Sequence, residues 1–170
     1  YFVSRLFQNI AKRKSMNYFD ILSFKKYTDK QKGDIFAVIG NPISHSMSPL
    51  LHTLLVKGCN YCAVQIKNQN ELKEFCIAAK CALKGFNVTI PYKKDIIKYL
   101  DEIDEQALKT GSVNTVLVND GKLLGYNTDV YGIKQALKNN DVDIKGSALI
   151  LGGGGAASAA VQALKGADVT

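Results

Sequence analysis

Long hydrophobic runs are missing from this 170-residue sequence. None approaches the ~18 apolar residues of a membrane-crossing helix, which excludes an integral membrane protein of that kind. Internal repeats and low-complexity segments are also absent. With 46% hydrophobic residues, 22% charged residues and only 3 prolines, the chain is neither disordered, collagen-like nor a coiled coil. Residues 1–33 lack an apolar segment followed by a small-residue cleavage site, which argues against a secretory signal. What remains is a globular composition, with room for one domain or for a small domain plus part of a second. The formal charge of +7 is unevenly spread: residues 1–33 hold eight Lys and Arg against two Asp, whereas residues 34–170 carry a net +1. The basic excess therefore belongs to a leader, and the body does not read as a nucleic-acid binder. Phe2, Val3, Leu6, Phe7 and Ile10 keep helical spacing. A basic N-terminal extension or the tail of a preceding domain is the expectation, ahead of an organelle address or contact with anionic membrane.

Cysteine is sparse, at Cys59, Cys62, Cys76 and Cys81. The first two have the C-x-x-C spacing of zinc and redox sites. Cys62, however, falls within an apolar alternation, Cys76 falls on the apolar face of the next helix, and neither pair flanks a glycine-containing knuckle. Buried free thiols in a reducing cytoplasm are expected, ahead of zinc or disulfides.

From Asp34 onward, short apolar runs alternate with amphipathic stretches, as in a parallel α/β sheet. Strands are expected at Ile35–Ile39, Tyr61–Ile66 and Gly85–Ile90. Helices are expected from Ser48, as N-cap before Pro49, to about Lys57, from Asn70 to about Ala82, and over about 92–100 after Pro91. Val113–Val118 and Lys122–Tyr126 flank Asn119-Asp120-Gly121 as a hairpin, and a helix follows from Thr128 or Asp129 to about Lys138. After the polar stretch Asn139–Gly146, a second unit opens with the strand Ala148–Leu151, four glycines and an alanine-rich helix to about Leu164. Asp168-Val169-Thr170 reads as the start of another strand, so the second domain is expected to be truncated.

Gly152, Gly153, Gly154, Gly155, Ala156 and Ala157 follow a strand, open a helix and satisfy G-x-G-x-x-A through Gly152, Gly154 and Ala157. In that setting glycines permit close backbone approach, and helix N–H groups hold a pyrophosphate. A purely structural glycine turn is the competing reading. The residue that would separate NAD from NADP falls about 20 positions on, past Thr170.

Three polar clusters lie upstream: NPISHSMSPLLH (Asn41–His52), NVTIPYK (Asn87–Lys93) and Asn114 with Asn127-Thr128-Asp129. Ser46 and Ser48 flank a strand-to-helix turn where hydroxyls and N–H groups suit a carboxylate, though two capping serines would look the same. Lys93 follows Thr89 by four residues just past a strand end, where α/β sheets bind ligands; a solvated surface lysine is the alternative. Hairpin turns and helix caps account almost equally well for Asn114 and the Asn127 triplet. His45 and His52 read as polar packing.

Taken with TGSVNT, GYNTD and LGGGGAA, these motifs stand in the order and spacing of the shikimate dehydrogenase family, which the chain resembles from about Ile35 to Thr170. The resemblance implies an α/β fold, with an N-terminal α/β substrate-binding domain over 34–138 and a truncated Rossmann-type dinucleotide-binding domain over 139–170. It implies NADP-linked interconversion of 3-dehydroshikimate and shikimate, on the route to chorismate and the aromatic amino acids. A quinate/shikimate dehydrogenase preferring NAD, and a non-catalytic substrate-binding paralogue, are the alternatives. Carried over, Ser46 and Ser48 would bind the substrate carboxylate, and Thr89, Lys93, Asn114 and Asp129 the ring hydroxyls. Lys93 and Asp129 would form the catalytic pair, and Gly152, Gly153, Gly154, Gly155 and Ala156 would wrap the cofactor pyrophosphate. The sequence departs from the family's habit at Thr53, Ser112 and Gly153. A cytoplasmic monomer or homodimer is expected, with no metal, nucleic-acid or membrane partner, and the 170 residues alone are expected to be inactive.

Overall fold

A computed structural model describes residues 18–142 and 146–170, so the helical spacing at Phe2–Ile10 lies outside the described residues. Two compact units divide the chain, the first ending at Phe86 and the second running from Asn87 to Thr170.

The first unit contains β1 (Tyr18–Phe19), α1 (Ile21–Thr28), β2 (Ile35–Gly40), α2 (Ser48–Leu55), β3 (Asn60–Gln65) and α3 (Gln69–Ala82). Its strands are parallel in the order β1-β3-β2, with Ile35 opposite Asn60 and Tyr18 opposite Ala63. The continuous apolar run of β2 is buried along most of its length, as in a sheet covered on both faces. Beneath α1 and α3 lies an aromatic core: Phe24 and Phe75 are fully buried with ring centroids 5.2 Å apart, and Phe86 meets Phe75 edge-on at 5.0 Å. The basic stretch 1–33 is therefore not wholly an extension, because Tyr18–Thr28 supplies a strand and a helix to this core. Its lysines hid the pattern: Ile21 and Phe24 are one helical turn apart and face inward, while Lys25 and Lys26 face out. Helix α3 starts two residues earlier than expected, with Asn68 and not Asn70 as its cap. Asn68, with extended backbone, accepts the N–H groups of Asn70 and Glu71 at 3.0 Å, whereas Asn70 is already helical.

Strand β4 (Gly85–Val88) leads into the second unit, which continues with a 3₁₀ helix (Asp95–Tyr99), β5 (Glu102–Ile103), α4 (Glu105–Thr110), β6 (Thr115–Asn119), β7 (Lys122–Tyr126), α5 (Asp129–Asn139), β8 (Ser147–Ala148), α6 (Gly155–Ala163) and β9 (Asp168–Val169). Strands β6 and β7 form the expected hairpin, closed by Asp120 and Gly121, both with positive φ as a type I′ turn requires. The helix expected after Pro91 is only this 3₁₀ turn. The Lys93 carbonyl accepts the Val113 N–H at 2.8 Å, so it is diverted from the helical bond that would have carried the chain on. Strand β5 and helix α4 are too short to leave a periodic signal. Strand β8 is likewise two residues long and pairs in parallel with β9 across α6, a single βαβ unit. Helices α5 and α6 meet through Val130, Ala159 and Ala163.

Candidate functional site

In the first unit, the turn after β2 carries Ser46 and Ser48. Helix α2 begins at Ser48, with Met47 as its cap residue, so Ser48 is the first helical residue and not the cap. Its hydroxyl is left for the Tyr61 side chain, whose own hydroxyl pKa is pushed up by burial among Cys62 and Cys59 and partly restored by that bond. Ser46 Oγ accepts the Ser48 N–H at 3.3 Å, and the Ser46 carbonyl accepts the Tyr18 hydroxyl at 2.8 Å. Tyr18 comes from β1, and the sequence held no motif to mark it. His52 stacks on Tyr61 at 4.1 Å with Nδ1 2.8 Å from the Ser48 carbonyl, so that nitrogen carries the proton. His45 is exposed.

The second unit gathers Lys93, Asn114 and Asp129. Lys93 Nζ pairs with Asp129 Oδ2 at 2.5 Å, and the two side chains are 20% and 28% exposed. Asp129 is the first residue of α5. Its other oxygen, Oδ1, accepts from Asn114 Nδ2 at 2.7 Å. Asn114 is held in turn by the sheet: its carbonyl accepts the Val88 N–H at 2.8 Å and its N–H donates to the Tyr126 carbonyl at 3.1 Å. Its Oδ1 accepts the Thr128 N–H and the Thr115 hydroxyl. A carboxylate with both oxygens engaged has little rotational freedom, and the ammonium bound to it is aimed.

Beside the pair lies a cavity of about 400 Å³, lined by Thr89, Ile90, Pro91, Lys93, Lys94, Gly154, Gly155 and Ala156. A Cβ at Gly155 would stand 3.1 Å from Lys93 Cδ and 3.2 Å from Ser112 Cβ, so the loop comes close to the pair there and any side chain would have to push these neighbours aside slightly. At Gly153 and Gly154 a Cβ would meet nothing within 4 Å. Neighbouring side chains therefore do not demand glycine at those two positions; bare backbone facing open space at the uncapped start of α6 suits an approaching phosphate. Gly152–Ala156 thus fit a dinucleotide.

Asn127 and Ser112, to which the sequence reading gave no role in the site, tie this region together. Asn127 is buried; its Nδ2 donates to the Ser112 carbonyl at 2.8 Å, to Ser112 Oγ at 2.9 Å and to Thr110 Oγ1 at 3.1 Å, and its Oδ1 accepts the Asp129 N–H at 3.0 Å. The GYNTD motif was the signal for Asn127; nothing but its place in TGSVNT pointed to Ser112. Away from the site, all four cysteines are free thiols, and burial pushes those of Cys62 and Cys76 up to about 12. Among the described residues no group of His, Cys, Asp and Glu is placed to hold a metal ion, and no helix is long and apolar enough to cross a membrane.

A half-buried lysine–carboxylate pair past a strand end and a glycine-rich strand-turn-helix mark an α/β protein of the class whose glycine loops suit a dinucleotide. Residues 38–116 match the family described as the shikimate dehydrogenase substrate binding domain. A shikimate dehydrogenase (NADP(+)) of Nitrosopumilus maritimus is 47% identical over 135 residues, which are 76% of this chain and 49% of that protein. Among solved structures, the shikimate dehydrogenase of Aquifex aeolicus is 40% identical with a TM-score of 0.75, over 80% of this chain and 54% of that one. The Thermus thermophilus enzyme in complex with NADP(H) and shikimate is 34% identical with a TM-score of 0.72, over 81% and 54%. The chain belongs to the shikimate dehydrogenase family. It spans about half the length of the curated relatives it matches.

Proposed function

We propose that this chain supplies the substrate-binding and acid–base part, over residues 34–138, and the opening of the NADP-binding part, over 139–170, of a shikimate dehydrogenase that reversibly reduces 3-dehydroshikimate to shikimate. The observation that carries the reading is Lys93, paired with an Asp129 locked by Asn114, on the wall of the cavity that Gly154, Gly155 and Ala156 also line. The names of the relatives support NADP as the dinucleotide.

A ring ketone accepting a hydride becomes an alkoxide and needs a proton at the same oxygen. Lys93 Nζ is the group to deliver it, and to take it back in the direction of oxidation. Asp129 does not exchange that proton itself: with Oδ1 on Asn114 and Oδ2 on Lys93, it orients the ammonium. Thr89, on the cavity wall, would hydrogen-bond a ring hydroxyl; the family resemblance implies a ring contact for Asn114 as well, and contacts to the carboxylate for Ser46 and Ser48, which lie in the first unit. Gly152–Ala156 would hold the pyrophosphate of NADP(H), which supplies the hydride when bound. The test is Lys93→Ala in protein expressed from the complete reading frame that contains this chain. Turnover with shikimate and NADP⁺ should fall at least about 10²-fold while shikimate affinity changes far less. Near-normal turnover would remove Lys93 from the mechanism, and turnover with quinate but not shikimate would reassign the substrate.

A further inference from the structure

Ser112 is fully buried and hydrogen-bonds neither the Lys93 nor the Asp129 side chain directly. Its hydroxyl accepts from Asn127 Nδ2 at 2.9 Å, and Asn127 holds the Asp129 N–H. In the other direction the same hydroxyl donates toward the Gly155 carbonyl at 3.5 Å, the far limit of a hydrogen bond. Gly155 also packs against the stem of Lys93, at 3.1 Å and 3.3 Å from the position its Cβ would take. The glycine loop thus touches both ends of one closed circuit: Gly155, Ser112, Asn127, Asp129, Lys93 and back to Gly155.

We propose that Ser112 is a positioning residue coupling the glycine loop to the Lys93–Asp129 pair, so that dinucleotide and substrate bind with positive cooperativity. The inference rests on the functional reading above. A bond at its geometric limit has room to shorten. With the first turn of α6 drawn in, the Ser112–Gly155 bond would shorten, Asn127 would be held on the loop side, and Asp129 would be fixed with Lys93 aimed. Such coupling is reciprocal: substrate on the pair must tighten the dinucleotide by the same factor. Contact alone does not establish coupling, so the test has to measure it.

Dissociation constants for NADP⁺ and for shikimate, each alone and with the other ligand saturating, are to be measured by calorimetry in protein from the complete reading frame, for the parent and for Ser112→Ala. The alanine removes one acceptor from Asn127, which keeps the Ser112 carbonyl and Thr110 Oγ1. A melting curve verifies that this variant is folded, and Ser112→Gly is the substitute if it is not. The expected result is mutual tightening of about fivefold or more in the parent, collapsing toward one in the variant, with the constants measured singly changing less than the coupling. A purely structural role would weaken both ligands and leave their ratio alone. Equal coupling in parent and variant, or none in the parent, overturns the relay while leaving the functional reading standing. Failure of the parent to bind either ligand overturns that reading and the relay with it.

Discussion

Asp129 presents two carboxylate oxygens to two donors of different kind, an amide and an ammonium, and substitution should separate their effects. In Asp129→Asn one end of the new amide can still accept from Asn114, but the other turns N–H toward Lys93. The expected outcome is a fall in kcat of about 10²-fold with the melting temperature little changed, read by steady-state kinetics and calorimetry. The thiols give a second residue-scale prediction. Cys62 and Cys76 keep their protons up to about pH 12 in the folded chain, against 9.0 as the reference value. Between those limits the unfolded chain has lost protons that the folded chain retains, so stability falls as pH rises from 9 toward 12 and is unaffected below. Urea unfolding midpoints at pH 8 and pH 10 should decline in that order, and Cys62→Ala with Cys76→Ala should flatten the decline. At pH 8, iodoacetamide should label exposed Cys81 first. The sequence marked residues of this scale where side chains sit in dense polar motifs: Lys93 and Asp129, both singled out from such motifs, are brought together. It held nothing of Tyr18, whose bond to Ser46 joins residues 28 apart.

Elements with long periods or hard stops were legible: the apolar run of β2, the two-residue turn of the β6–β7 hairpin and the stripe of Leu72, Phe75, Cys76 and Ala79 on α3. Elements set by tertiary bonding were not. The 3₁₀ turn after Pro91 depends on a carbonyl captured by Val113, and α1 depends on an aromatic partner on α3. That dependence is testable. Phe24→Ala should cost about 3–5 kcal/mol in denaturant unfolding, a cost that a dispensable basic extension would not show. Gly125→Ala provides a counterpart in β7. Its added Cβ would run into Leu100 Cδ1 and lie 3.1 Å from Val113 Cγ2, and the resulting overpacking should cost about 1–3 kcal/mol by the same measurement.

At the scale of the whole molecule, five motifs in order carried the family, because each encodes backbone geometry and hydrogen bonding together. The strength of the βαβ unit was less legible. Strands β8 and β9 are only two residues long, and Leu149 and Leu151 are 72% and 88% exposed. Apolar area left in water does nothing to offset the entropy of ordering, at ~25 cal/mol per Å². As a 170-residue polypeptide the chain should therefore bind NADPH hardly at all, and give no absorbance change at 340 nm with shikimate and NADP⁺. Saturable quenching of nucleotide fluorescence at micromolar protein would contradict this.

Lys93 and Asp129 are 36 residues apart, and the bonds that hold the pair directly, through Asn114 and Asn127, all come from residues 88–129. Translation runs from the N-terminus, so that stretch is complete while Gly152 and the residues after it are still unmade. The Lys93–Asp129 pair thus takes its direct partners only from chain made earlier, and the glycine loop that follows has to fit a surface those residues already specify.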